Sequence, residues 1–454
     1  MKNYISLINH ASILISNGKK KLLTDPWYAG EVFNGGWSLL YENEEEEIIK
    51  ILNDLDYIWI SHEHPDHFSI NFFLKYKTII QKKKIKILFH KNEDKRVVSF
   101  LIEKGFEVLE LENNCEYKVD NDFKIFIQRH DFYDSALIVN INETKIFNLN
   151  DCPISDEREL LQFKKKYGKC DFLFSQFSYA AWKGGKENLK WRKDAAIEKI
   201  KTLKKQSNIL GAKYTIPFAS YIYFSDEYNF YLNDSVNTPE DIINLTKFEK
   251  TKYIFLKPYE NIFFNNNVIS KVSGEGALFW SKKFNSIEIK NKKKNISDFN
   301  ELKNLFNSYI KRIFTKNSHF FCLIISKMKF LNIFQPINIF LKDLNICCKI
   351  DLIKKSITEV PYTPDIEMNS SSLKLIFLQD FGFDTLTING CFEEKSPNAF
   401  VKMAQTLAIG NLNNLNIYIN FKIFYNFRVV VLFLKKIFKI RKKLTFKYLQ
   451  EIEQ

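Results

Sequence analysis

Residues 57–67 read Tyr57-Ile58-Trp59-Ile60-Ser61-His62-Glu63-His64-Pro65-Asp66-His67. The first four are apolar and β-prone, the pattern of a short buried strand. Beyond them, His62, His64, Asp66 and His67 place four ligand-type side chains within six residues. In a loop leaving a strand, His62 and His64 stand two apart and can point to the same side. Asp66 and His67 follow on the turn and can face a second ion. Imidazole and carboxylate donors suit Zn²⁺, Fe²⁺ or Mn²⁺. Pro65 stiffens the loop and limits the entropy lost on binding. The competing reading is an ordinary polar loop, which would gather these residues only by coincidence.

A complete site needs donors from elsewhere. His130 follows a strand-like stretch at 123–128 and is expected to complete a three-histidine site with His62 and His64. Asp151 follows a strand-like stretch at 145–148 and is expected to bridge two ions. A satisfied strand-end histidine and a helix-capping aspartate are the alternatives. Two divalent ions about 3.5–4 Å apart lower the pKa of a shared water and clamp a developing oxyanion. The expected cofactors are thus two divalent metal ions, zinc first, with iron or manganese as alternatives. The expected catalytic groups are a metal-bound hydroxide and Asp66 as a general base. His10, between two strand-like stretches at 4–8 and 12–16, is a candidate substrate contact or support for a ligand; a core histidine is the alternative.

Around this loop the first half alternates strand and helix signals. Asn17-Gly18 signals a hairpin into residues 20–24. Residues 44–55, 96–104 and 191–205 read as helices; 85–89, 136–141 and 172–175 read as strands. Strands first paired antiparallel, then separated by helices, imply an α/β sandwich with sheets inside, helices outside and the metal at loop ends along one edge. Residues 286–300, with the run Lys290-Asn291-Lys292-Lys293-Lys294-Asn295, form the linker candidate. The expected organisation is therefore a metal-binding domain over 1–285, the linker, and an accessory α+β region over 301–454. Within that region 373–378 reads as a strand and 386–392, around Asn389-Gly390, as a hairpin.

Bulk composition narrows the class. The 454 residues are 45% hydrophobic and 15% aromatic, enough to bury a large core. The formal charge is +14, but the lysines are spread along the chain, so solubility explains them better than nucleic acid does. Seven cysteines without a Cys-x-x-Cys pair argue against a disulfide framework or a four-cysteine zinc site, and fit a cytoplasmic protein. Met1-Lys2-Asn3-Tyr4 leads into a strand-like stretch, so no signal peptide is expected. The longest apolar run, 429–434, is far short of the ~20 residues of a membrane span. Residues 435–447 alternate basic and apolar side chains, a pattern for peripheral contact with the inner membrane face or for packing on the chain's own surface.

The His-x-His-x-Asp-His loop with His130 and Asp151 resembles the metallo-β-lactamase superfamily. His10-Ala11, Asp25-Pro26-Trp27, Gly35-Gly36-Trp37-Ser38-Leu39-Leu40, residues 56–67, Asn150-Asp151-Cys152 and Pro217-Phe218-Ala219 narrow the likeness. Together they resemble the metallo-β-lactamase-like part of CMP-N-acetylneuraminate hydroxylases, over residues 1–285 and thinly beyond. The resemblance implies an αββα sandwich and a site able to take a sugar nucleotide, with Trp27 and Trp37 as candidate substrate contacts. It also favours Trp182, Lys183 and Lys186, in Trp182-Lys183-Gly184-Gly185-Lys186, as sugar–phosphate contacts over an ordinary surface turn.

Two departures qualify it. The resembled hydroxylases carry a Rieske iron–sulfur domain, and no Cys-x-His and Cys-x-x-His pair occurs in these residues. An oxygenase reading therefore implies a separate electron-transfer partner. The superfamily's last ligand is usually a late histidine, yet no histidine lies between 131 and 318. Asp226 or Glu227 could serve instead, or the second ion is weakly held or missing. Three functions follow: a metal-dependent hydrolase of a phosphate- or sugar-nucleotide-type substrate, an iron-dependent oxygenase component, or a non-catalytic binding protein with a relict site.

Overall fold

Two large sheets face each other across an apolar interior. The first has eight strands; Asn3–Asn9, Ser12–Ser16 and Lys21–Thr24 run antiparallel, and Tyr57–Trp59, Lys86–His90 and Val108–Leu111 continue it in parallel. The second has seven strands, with Tyr117–Asp120, Phe123–His130, Asp134–Ile141 and Thr144–Asn150 antiparallel, and Phe172–Gln176, Tyr214–Phe218 and Lys252–Tyr253 parallel. A computed structural model describes residues 2–421 except 131–133, 266–267, 271, 291–295, 329–330 and 415. The basic stretch 435–447, the apolar run 429–434 and the centre of the linker candidate lie outside the described residues.

Side-chain alternation explains the layering. In Asp134–Ile141, Leu137 and Val139 face the interior shared with Leu7, Ile13, Trp59 and Leu88 of the first sheet. Ala136 and Ile138 point the other way, onto Leu160 and Phe163 of helix Glu157–Tyr167. On the far side of the first sheet, Ile58, Ile60 and Ile87 pack beneath helices Glu45–Asn53, Ile70–Lys75, Lys77–Lys82 and Arg96–Glu103. Both sheets are thus covered on both faces, which parallel strands require, and the result is the expected αββα sandwich. Among the described residues no helix is long and apolar enough to cross a membrane.

The C-terminal region builds a five-stranded sheet centred on Ile337–Leu341 and surrounds it with helices that include Phe299–Lys316 and Ala399–Leu407. Two expectations fail here. Residues 373–378 lie in helix Ser370–Leu378, because Leu373, Ile376 and Phe377 share a buried face at helical spacing. The Asp343 carboxylate accepts from Ser370 N (2.8 Å) at its start. Asn389-Gly390 makes no hairpin: it ends helix Gly382–Asn389, with Gly390 in the left-handed conformation (φ 65°) that closes a helix. The core of this region also takes in Trp27, Phe33, Trp37, Trp182, Phe224 and Leu232 of the sandwich.

Candidate metal centre

The candidate centre lies at the C-terminal ends of strands Tyr57–Trp59 and Thr144–Asn150, beside the hairpin turn at His10. Parallel strands leave such ends open to loops that carry chemistry. The 62–67 loop is closed by hydrogen bonds from His67 N and Phe68 N to His64 O, at 3.0 and 2.7 Å. Asn150 adopts a left-handed conformation (φ 59°), beside a register shift against strand Phe172–Gln176 that turns Asp151 out of the strand direction.

Two trios emerge. The donor atoms of His62, His64 and Asp151 lie within 4.8 Å of one another, and so do those of His10, Asp66 and His67. The Asp151 carboxylate stands between them: its Oδ2 is 3.8 Å from His62 Nε2 and 3.6 Å from His67 Nε2. Asp66 Oδ2 is 3.2 Å from His67 Nε2 and 3.4 Å from His10 Nε2. Each trio could hold one divalent ion, and Asp151 is placed to touch both.

A second layer fixes these rings. Asp25, at a left-handed φ of 37°, accepts from Ser61 N and Ser61 Oγ (both 2.8 Å) and from Asn150 Nδ2 (2.7 Å), and lies 3.1 Å from His67 Nδ1. That carboxylate holds the His67 Nδ1 proton and leaves Nε2 for a metal. Ser61 Oγ lies 3.0 Å from His62 Nδ1 and does the same for that ring. Asp134 adds a carboxylate 3.8 Å from His62 Nδ1.

The charges of the centre are tightly linked: burial lowers His67, but the Asp66 and Asp151 carboxylates outweigh it and hold that ring well above the usual histidine range. Burial, helped by His62, pushes His64 down to about 4, so the ring is neutral near pH 7. Burial alone would raise the Asp66 and Asp151 carboxyls, but the neighbouring imidazoles outweigh it and hold both below the usual carboxylate range. A carboxylate held so low is a weak base, and Asp66 stands among donors that could hold an ion.

Several expected site residues lie elsewhere. His130 joins neither trio: its Nδ1 is 2.9 Å from Glu159 Oε1 on the neighbouring helix, and Asp151 stands with His62 and His64 in the place expected of it. Asp226 is turned into its own loop, where its carboxylate accepts from Tyr228 N (3.0 Å) at the entry to a short 3-10 turn. Glu227 pairs with Lys342 at 3.2 Å. Trp27 is buried edge-on against the His10 ring (centroids 5.6 Å apart), so it braces that ring instead of offering a stacking face. Trp37 is buried against Phe33, whose ring in turn meets His64. Trp182 is buried against Phe392 and Phe400 of the C-terminal region, and Lys186 reaches Glu393 at 3.6 Å. With half-buried Lys183 between them, the glycine loop makes a contact between the two halves of the chain.

Sequence reasoning missed Asp25, Ser61, Asn150 and Lys199. Asp25 carried a signal, a strand ending at Asp-Pro; Ser61 and Asn150 carried only their adjacency to ligands. Lys199, on helix Leu189–Leu210, donates to Gln176 Oε1 at the end of strand Phe172–Gln176. Burial lowers its ammonium, and the Asp151 and Asp134 carboxylates oppose that shift. One lysine on a lysine-rich helix gives no such hint in sequence.

The chain is similar to the cytidine monophosphate-N-acetylneuraminic acid hydroxylase of Danio rerio: 26% identical over 264 residues, covering 54% of this chain and 42% of that protein. The corresponding share of the human protein, described as inactive, is 50%. The chain thus spans about half the length of the curated relatives it matches. No protein-family model matches it. Among solved structures it is similar to Igni18, a metallo hydrolase from Ignicoccus hospitalis, at 14% identity and a TM-score of 0.42 over 58% of this chain and 99% of that one. It is also similar to CmlA, a diiron β-hydroxylase from Streptomyces venezuelae, at 12% identity and 0.42 over 58% of this chain and 54% of that one.

Proposed function

We propose that the chain is a metal-dependent hydrolase that binds two divalent ions in the two trios and acts on a phosphate- or sugar-nucleotide-type substrate. The observation that carries this reading is the arrangement of His62, His64, Asp151 and His10, Asp66, His67 around one shared carboxylate. Two bound ions supply Lewis acidity and a reactive water near neutral pH. The chain's own residues do the rest. Asp25 and Ser61 hold His67 and His62 with Nε2 turned to the centre. Asp66 and Asp151 stay ionised, and His64 stays neutral. The substrate class is supported by the relatives, whose name contains a sugar nucleotide.

A second reading, an iron-dependent oxygenase component served by a separate electron-transfer protein, is supported by the hydroxylase relatives. One experiment separates the two. Protein reconstituted with two equivalents of Zn²⁺ or Mn²⁺ is assayed anaerobically on phosphodiesters, lactones and nucleotide sugars; iron-loaded protein is assayed for oxygen uptake with a reductant. Turnover without oxygen is expected. Turnover only in the iron form with oxygen replaces the first reading by the second, and turnover in neither defeats both.

A further inference from the structure

We infer that His10 closes the second metal site, in the place left by the missing late histidine. This rests on the reading of the two trios as a metal centre and assigns to it a donor from the N-terminal hairpin. The backbone at His10 is pinned from both sides: its N–H donates to Asn9 Oδ1 (2.8 Å), and its carbonyl accepts from Ala219 N (2.8 Å). The side chain is 2% exposed; its Nδ1 has no hydrogen-bond partner among the described residues, and its Nε2 faces only the Asp66 carboxylate, at 3.4 Å and without hydrogen-bond alignment. Buried polar groups without a partner are rare without a reason. The partner that the geometry points to is an ion. Donors about 2.0–2.2 Å from a tetrahedral centre stand about 3.3–3.6 Å apart. His10 Nε2 to Asp66 Oδ2 is 3.4 Å, and Asp66 Oδ2 to His67 Nε2 is 3.2 Å.

The alternatives on the chain are accounted for. Asp226 is engaged in its own turn, and Glu227 faces Lys342. The Trp27 edge holds the His10 ring from the side. Two imidazoles and one carboxylate form a borderline donor set that accepts Zn²⁺, Mn²⁺ or Fe²⁺.

The test uses the full chain, dialysed against Mn²⁺, with metal content by elemental analysis and the electron paramagnetic resonance spectrum as readouts. Wild type is expected to hold two ions per chain with an exchange-coupled signal. His10→Gln, close in size to histidine, and His10→Ala are expected to hold one ion with an uncoupled six-line signal, at unchanged near-ultraviolet circular dichroism. Asp226→Asn, which preserves the turn acceptor, is expected to keep two. If His10→Gln keeps two coupled ions, or if Asp226→Asn loses one in its place, the assignment is overturned. Wild type with a single ion unaffected by His10→Gln overturns it too, while the metal centre at His62, His64 and Asp151 stands. Wild type with no ion overturns both.

Discussion

Asp25 shows how much of the centre depends on a residue that donates nothing to a metal. Its two carboxylate oxygens serve Ser61, Asn150 and His67 at once. Asp25→Asn keeps the shape but turns an N–H toward His67 Nδ1, which favours the wrong tautomer. Metal affinity is expected to fall about 10–100-fold, measured by competition with a chromophoric chelator; unchanged affinity would refute the orienting role. His90 makes a prediction about pH. It is buried, stacks on Phe89, and is pushed down to about 4 by burial, with Arg129 and His62 adding to the shift. An unfolded histidine titrates near 6.5. Between those values the unfolded chain binds the extra proton, so stability falls as pH drops from about 6.5 to about 4. At about 1.4 kcal/mol per pK unit this amounts to roughly 3–4 kcal/mol. Urea midpoints of metal-free protein at pH 4, 5, 6 and 7 are expected to fall with pH, and His90→Gln to make the fall shallower, with His64, pushed down alike, keeping part of it; an equal slope in the variant would count against it.

At the scale of elements, the first half was legible because local and tertiary signals agree. Hairpin Ser12–Ser16 to Lys21–Thr24 follows from Asn17-Gly18 between apolar runs, and Gly18 takes the positive φ (82°) that the turn requires. The metal loop was legible because its chemistry is crowded into six residues. Long-range assembly was not. Which side chain meets a centre across the sheets depends on where each strand end points, and a sequence does not give that direction. His130 points to Glu159, whereas His10, 52 positions before His62, points inward. The misread elements share another cause. Residues 373–378 are apolar enough for either period, and only burial at 373, 376 and 377 reveals the helix. Asn-Gly serves equally as a hairpin turn and as a helix stop.

At the scale of the molecule, the sandwich and the C-terminal region are joined by a common interior. Trp182 lies at its centre: its indole meets Phe400 at 4.4 Å and Phe392 at 5.1 Å, and its Nε1 donates to Tyr231 Oη (3.1 Å). Asn389 of the far half also donates to Phe33 O (2.9 Å), next to the ring that meets His64. Trp182→Ala is expected to cost about 3–5 kcal/mol in urea denaturation. A loss below about 1 kcal/mol would mean that the halves are held by something else.

The spread of the donors along the chain also sets an order of events in the cell. The trios draw on residues 10, 62–67 and 151. A nascent chain that ends before Asp151 contains only part of the set, and His10 leaves the ribosome long before the aspartate that stands between the two trios. The cluster at 62–67 therefore emerges together but without His10 folded onto it and without Asp151, so neither trio is complete until the sandwich has formed, and full loading follows folding rather than guiding it.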